Sequence, residues 1–237
     1  MEQAKRERYA AIVLSAGTGR RMNSNIPKQY MMLENYPVLY YSLKAFDDSD
    51  VDEVVLVTGA GDIDYCRKEI VEHYGFQKVK AVVAGGSERY LSVWEGLKAA
   101  DADYVLIHDG ARPLIDAESI RASMEAVRKE KACILGVPVK DTIKCADDRD
   151  YVKNTPERKS LWIIQTPQSF SYELLTEAYR RLFDAQNKGE ELPAITDDAM
   201  IVEQMTECKV KIIRGRYENI KITTPEDIPM AKLFLKK

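Results

Sequence analysis

The chain has 237 residues, a formal net charge of -3 at neutral pH and an apolar fraction of 45%. That length buries a core without disulfide or metal staples, and the charge balance argues against the broad basic surface of a nucleic-acid-binding protein. Cys66, Cys133, Cys145 and Cys208 are scattered without a C-x-x-C pair, which disfavours structural zinc and points to reduced thiols in a cytoplasmic protein.

The charged start, residues 1–8, is followed by an apolar run too short for a signal peptide, and no stretch approaches ~18 apolar residues, so no membrane span is expected. Strand and helix patterns then alternate as far as the fifth predicted strand, the mark of a parallel α/β sheet. Residues 9–14 form a short apolar run predicted as a buried first strand, with a Gly-rich loop directly after it. Residues 38–46 read as helix and 53–58 as a second strand. Asp62 is expected to cap a helix ending near Tyr74. Residues 79–83 are the third strand, and 87–100 carry Leu91, Val93, Trp94 and Leu97 on one helical face. Residues 104–107 form the fourth strand, ending at His108 and Asp109, before a helix over 120–129 and a fifth strand over 132–137.

Between residues 140 and 160 the chain turns polar and charged over a stretch too long for an ordinary connection. This predicts an extended arm, a protruding hairpin that reaches a second subunit, with a mobile surface loop as the alternative. Regular structure resumes at 161–165, with helices near 172–185 and 197–204 and strands at 209–213 and 220–222. Thr224 as N-cap, Pro225 in the first turn and the acids Glu226 and Asp227 mark a last helix start. The whole, residues 1–237, is expected to be a single domain.

The loop after the first strand, Ser15-Ala16-Gly17-Thr18-Gly19-Arg20-Arg21-Met22, sits where nucleotide phosphates bind in α/β sheets. Small residues let the backbone approach an anion, and successive N–H groups make a concavity for it. A dinucleotide fingerprint would need glycine where Met22 stands, and a Walker A loop would end in Gly-Lys-Ser/Thr; neither is present. Two arginines and the nearby Lys28 suit a triphosphate and the charge that builds as it is cleaved. The same residues also fit a plain turn with two exposed arginines.

The run A-G-x-G-x-R-M, followed by Pro27-Lys28-Gln29-Tyr30, resembles the signature of sugar-phosphate nucleotidyltransferases, in the form found in the 2-C-methyl-D-erythritol 4-phosphate cytidylyltransferase family. Gly85-Gly86-Ser87-Glu88-Arg89, His108 to Pro113, Val139 to Lys144, Gln165-Thr166-Pro167-Gln168, Thr196-Asp197-Asp198-Ala199 and Asn219 to Thr223 agree in order and spacing. The resemblance implies a Rossmann-like, mostly parallel sheet flanked by helices, the nucleotidyltransferase fold with a protruding β-arm. It implies a homodimer joined through residues 140–160. The implied reaction joins CTP to 2-C-methyl-D-erythritol 4-phosphate with release of pyrophosphate, with Mg²⁺ as cofactor.

Residue by residue, the resemblance makes Asp109 the metal ligand and a contact of both substrates. Arg21 and Lys28 are implied to stabilise the transition state, and Arg20 with the backbone of Ala16, Gly17, Thr18 and Gly19 to hold the β- and γ-phosphates. Gly85, Gly86 and Ser92 are implied to meet cytosine. Arg158, Thr166 and Lys221 are implied to position the acceptor, with Thr142 and Arg112 contributed across the dimer. His73 and His108 need no catalytic role, because an ionised phosphate attacks without a strong base.

Three rival readings turn on particular residues. A relative that activates ribitol 5-phosphate carries Ser-Val where this chain has Gly110-Ala111. A dinucleotide-dependent oxidoreductase is opposed by Met22, and a non-catalytic nucleotide sensor by the presence of Arg21, Lys28 and Asp109 together.

Overall fold

Alternation explains the first strand. Ala10 and Ile12 face one side, Ala11 and Val13 the other, and all four are fully buried. A strand covered on both faces reads as a continuous apolar run and belongs inside a parallel sheet. The computed structural model describes residues 6–17, 22 and 26–236. In it this strand, β1 (Tyr9–Ser15), lies inside a seven-stranded sheet.

A 3-10 turn at Lys28–Tyr30 follows, then β2 (Met32–Leu33), β3 (Tyr36–Pro37), α1 (Val38–Asp47), β4 (Glu53–Thr58), α2 (Ile63–Tyr65) and β5 (Val79–Ala84). Next come α3 (Arg89–Ala99), β6 (Tyr104–Asp109), α4 (Ala117–Glu130), β7 (Ala132–Pro138), β8 (Cys145–Ala146) and β9 (Val152–Asn154). The chain closes with β10 (Trp162–Ser171), α5 (Tyr172–Asn187), α6 (Asp198–Met205), β11 (Lys211–Arg214) and α7 (Asp227–Leu235). The sheet order is β11-β7-β10-β6-β1-β4-β5. Strand β10 runs antiparallel to β6 and β7, and the other neighbours are parallel. The expected mostly parallel α/β sheet is what forms.

Each face of the sheet carries its own core. Ile12, Val55, Val57 and Ile107 pack with Val93 and Leu97 of α3 and with Leu175, Tyr179 and Leu182 of α5. Val13, Val54, Leu56 and Leu106 pack on the other side with Leu39, Leu43 and Phe46 of α1 and Ile120 of α4. From β1 the chain moves outward through β4 to β5, then returns to β6 on the far side of β1. That reversal opens a crevice beyond the carboxyl ends of β1 and β6, where open α/β sheets take ligands. Register pairs Leu14 with Asp109, so the loop after β1 and the acid ending β6 leave the sheet side by side.

Three local expectations are corrected. Asp62 makes no side-chain cap; its carboxylate accepts from the Tyr30 hydroxyl at 3.2 Å, and α2 continues as a π-helix, Cys66–Glu72. Residues 220–222 form no strand. They cross the strand ends and make one ladder-like bond, Ile222 N–H to the Ala111 carbonyl at 2.8 Å. Ile222 is buried there with Leu33, Val38 and Ala231 in a third small cluster. Helix α7 begins at Asp227, whose carboxylate accepts from the N–H groups of Thr223 at 2.7 Å and Thr224 at 2.8 Å. That is the reaching-back half of a capping box, with the acid rather than the threonine making the bond.

The 140–160 segment takes the expected hairpin form, with β8 and β9 paired antiparallel and most of its residues exposed. Among the described residues no helix is long and apolar enough to cross a membrane.

Candidate active site

The crevice at the switch point is a cleft of about 580 Å³. Ser15, Ala16, Gly17, Lys28 and Gln29 line one side, Gly86, Glu88, Arg89 and Ser92 another, and Asp109, Lys221 and Thr223 complete it. Lys221 and Thr223 reach it because the extended 220–223 segment alternates, sending Ile222 inward between them.

Asp109 is the centre of charge. It is 7% exposed, and three cations surround its carboxylate. Lys221 Nζ lies 2.7 Å from Oδ2, Arg89 Nε 3.5 Å from Oδ1 and Arg112 Nε 3.8 Å from Oδ2. Burial alone would push this carboxyl up; the charges of Arg89, Lys221 and Arg112, with the Lys221 hydrogen bond, outweigh it and hold the group well below the usual carboxylate range. Asp109 is therefore an ionised acid at any physiological pH.

Its backbone is held from below. The Asp109 N–H donates to Thr166 Oγ1 at 3.0 Å, and Thr166 Oγ1 lies 3.1 Å from His108 Nδ1. His108 Nε2 lies 3.1 Å from the Arg112 carbonyl, which can only accept, so Nε2 carries the proton and Nδ1 receives the threonine hydroxyl. Burial lowers His108 to about 4, in keeping with this neutral tautomer. Thr166 reaches this position through an irregularity in β10, where the register against β7 shifts between Ile164 and Gln168 around Pro167. Thr166 is 4% exposed, so its hydroxyl props the strand end from within.

Across the cleft, Gln29 ties the loop down. Its side chain is buried, and its amide donates to the carbonyls of Ser15 at 2.8 Å and Gly17 at 3.2 Å. Lys28 donates to the Ile222 carbonyl at 3.0 Å, linking this side to the segment that carries Lys221. Gly85 lets the loop and α3 come together: a Cβ there would stand 2.6 Å from Ser92 Oγ and 2.8 Å from Ala16 Cβ. Ser92 in turn accepts from the Gly86 N–H at 3.2 Å.

The structure therefore brings Ala16, Gly17, Lys28, Gly86, Ser92, Asp109 and Lys221 to one cleft, with Gly85 packed behind it. Thr18, Gly19, Arg20 and Arg21 lie outside the described residues. Thr142 and Arg158 are exposed on the arm and do not line the cleft of their own chain. Arg158, expected beside Thr166 and Lys221, instead donates to the Lys140 carbonyl at 3.2 Å across the base of the hairpin. Arg112, expected to serve a partner, is turned into its own chain, donating to the carbonyls of Asn219 at 2.8 Å and Ile164 at 3.4 Å.

Sequence reasoning assigned no role to Arg89, Asp198 or Gln29. All three stand inside motifs that carried the resemblance, and that membership was the available signal. Arg89 donates from Nη1 to Asp198 Oδ2 at 2.8 Å, and the two carboxylates raise its pKa against the pull of burial.

Among the described residues no group of three His, Cys, Asp or Glu side chains converges on a point. One carboxylate, Asp109, faces the cleft among the cations around it. That donor set fits a Mg²⁺ carried mainly by phosphate oxygens and water.

Cations set around one ionised carboxylate at the switch point of a mostly parallel sheet suit a reaction between polyanions, the chemistry of a nucleotidyltransferase. The family model for IspD, 2-C-methyl-D-erythritol 4-phosphate cytidylyltransferase, matches residues 9–237, and the chain belongs to that family. A protein of that name from Lachnoclostridium phytofermentans is 50% identical over 232 residues, covering 98% of this chain and 97% of the relative. Another from Lachnospira eligens is 52% identical over 228 residues, covering 95% and 98%. The crystal structure of 4-diphosphocytidyl-2C-methyl-D-erythritol synthase from Anaerococcus prevotii superposes with a TM-score of 0.83 at 36% identity, covering 98% of this chain and 97% of that one.

Proposed function

We propose that this chain transfers the cytidylyl group of CTP to the phosphate of 2-C-methyl-D-erythritol 4-phosphate, a step in making isoprenoid precursors. An acceptor phosphate oxygen attacks the α-phosphorus; the bond between that phosphorus and the bridging oxygen to the β-phosphate breaks, and pyrophosphate leaves with the electron pair. No covalent enzyme intermediate is required. Alignment and charge stabilisation carry the rate. The observation that supports this most strongly is Asp109, ionised and ringed by Arg89, Lys221 and Arg112 beside the loop that follows β1.

In this reading Lys28 and Arg21 stabilise charge on the reacting phosphorus. Arg20 and the backbone of residues 16–19 take the β- and γ-phosphates. Gly85, Gly86 and Ser92 shape the cytosine pocket, and Lys221 meets the acceptor phosphate. Thr166 acts through the backbone of Asp109, and Arg112 helps hold its carboxylate. Asp109 would hold Mg²⁺, which when bound lowers the repulsion between two anionic substrates. The exposed arm, with Thr142 and Arg158, completes the acceptor site of a second copy in a homodimer. The protein acts in the cytoplasm as one domain, on small molecules alone.

The test is pyrophosphate release from CTP and Mg²⁺ with methylerythritol phosphate or ribitol 5-phosphate as acceptor, and UTP and ATP as base controls. Turnover requires CTP, and methylerythritol phosphate is the better acceptor. A preference for ribitol phosphate would overturn the acceptor assignment, and release without any acceptor would overturn the transfer. Arg158→Lys loses the bidentate fork that suits a phosphate and raises the KM for acceptor more than that for CTP. Equal effects on both would remove Arg158 from the acceptor site.

A further inference from the structure

We infer that Asp198, which does not line the cleft, is a positioning residue for Asp109 and acts through Arg89. Arg89 opens α3, and its guanidinium lies between two carboxylates from different layers, Asp198 on α6 and Asp109 on β6. The two contacts are unequal. Nη1 donates to Asp198 Oδ2 at 2.8 Å, whereas Nε stands 3.5 Å from Asp109 Oδ1.

Asp198 is the fixed end of this chain of charges. It is fully buried, and its Oδ1 accepts from the Tyr179 hydroxyl at 2.9 Å. Its N–H donates to Gln168 Oε1 at 3.0 Å, and the same oxygen accepts from Ala199 N–H at 3.1 Å. Gln168 Nε2 in turn donates to Asp197 Oδ2 at 2.9 Å. Strand β10 and helices α5 and α6 thus hold the carboxylate that grips Arg89.

The consequence falls on Asp109. Its Oδ2 is taken by Lys221 at 2.7 Å, so Oδ1 is the oxygen held more loosely, and it faces Arg89. A guanidinium released from Asp198 would close on Asp109 as a two-bond fork, the geometry that arginine and carboxylate favour. Both oxygens of Asp109 would then be taken up by cations, Oδ1 by Arg89 and Oδ2 by Lys221, and closed to a ligand in the cleft. By holding Arg89 at arm's length, Asp198 keeps an ionised Asp109 oriented but open.

The inference uses the proposed transfer reaction as its readout. Asp198→Asn keeps the shape and removes the charge. We expect kcat to fall about tenfold or more with the KM for methylerythritol phosphate within about threefold, a split that loosening of the fold would not produce. Arg89→Lys, which keeps the charge but cannot span both carboxylates, gives a similar loss. The double variant loses no more than the worse single one, because both act on one path. Losses that multiply, or a folded Asp198→Asn enzyme with kcat within about threefold of the parent, overturn the inference. Should Asp198→Asn fail to fold, Arg89→Lys decides alone, and an unchanged kcat there overturns it. A parent protein without turnover overturns the proposed function and this inference together; turnover with multiplying losses overturns this inference only.

Discussion

His108 offers a quantitative test of the support beneath the site. Burial lowers it from its ordinary 6.5 to about 4. Between those values the unfolded chain binds a proton that the native state refuses. Stability from this group is thus complete above the unfolded value and is lost as pH falls toward the folded one. The full difference is about 3 kcal/mol, and the part that falls between pH ~7.5 and ~5 is about 2 kcal/mol. Asp109 does not confuse that window. Its folded pKa is depressed, so its contribution is lost only as pH falls below the unfolded carboxylate range. The assay is urea unfolding followed by the fluorescence of Trp94 and Trp162 at both pH values, for the parent and for His108→Gln. The glutamine amide can still donate to the Arg112 carbonyl but takes up no proton. The parent should lose about 2 kcal/mol more than the variant on acidification. Equal losses would refute the claim that a neutral, buried imidazole sits under Asp109.

Gln29→Leu leaves the carbonyls of Ser15 and Gly17 without their side-chain donor. It should cost about 2–4 kcal/mol in urea unfolding and raise the KM for CTP, since those carbonyls belong to the loop that would receive the triphosphate. Gly85→Ala forces a methyl against Ser92 of α3 and Ala16 of the loop after β1; the KM for CTP should rise about tenfold in steady-state assays, and stability should fall by about 1–3 kcal/mol in urea unfolding. Gly96→Ala puts a methyl into Ile12 on the core face of α3. It should lower stability by about 1–3 kcal/mol in thermal or urea unfolding, with kcat nearly intact at temperatures where the variant is folded.

Much of this fold was legible locally. Residues 53–58 were read as a strand with the bounds the structure gives them, because a β-branched apolar run buried on both faces has few other homes. Polar, charged composition marked the 140–160 hairpin for the converse reason, since it has little to bury. Motif order was enough for the family, and the resemblance it carries pointed to Gly17, Lys28 and Asp109, which the structure brings to one cleft. Pattern reading failed where a segment lies across the sheet instead of in it. Ile220 and Ile222 look like a strand, yet residues 220–222 bridge strand ends, and only the burial of Ile222 turns Lys221 toward Asp109.

Asp198 marks the boundary between the two kinds of knowledge. By itself the sequence determined where most helices and strands form and which family the chain joins, because those depend on local periodicity and short motifs. That Asp198 meets Arg89 across 109 positions, that Thr166 bonds the backbone of Asp109, and that Arg112 turns inward were decided by tertiary packing. A contact between distant segments is made by the packing of layers, and no period in the chain encodes which polar side chains those layers will bring face to face.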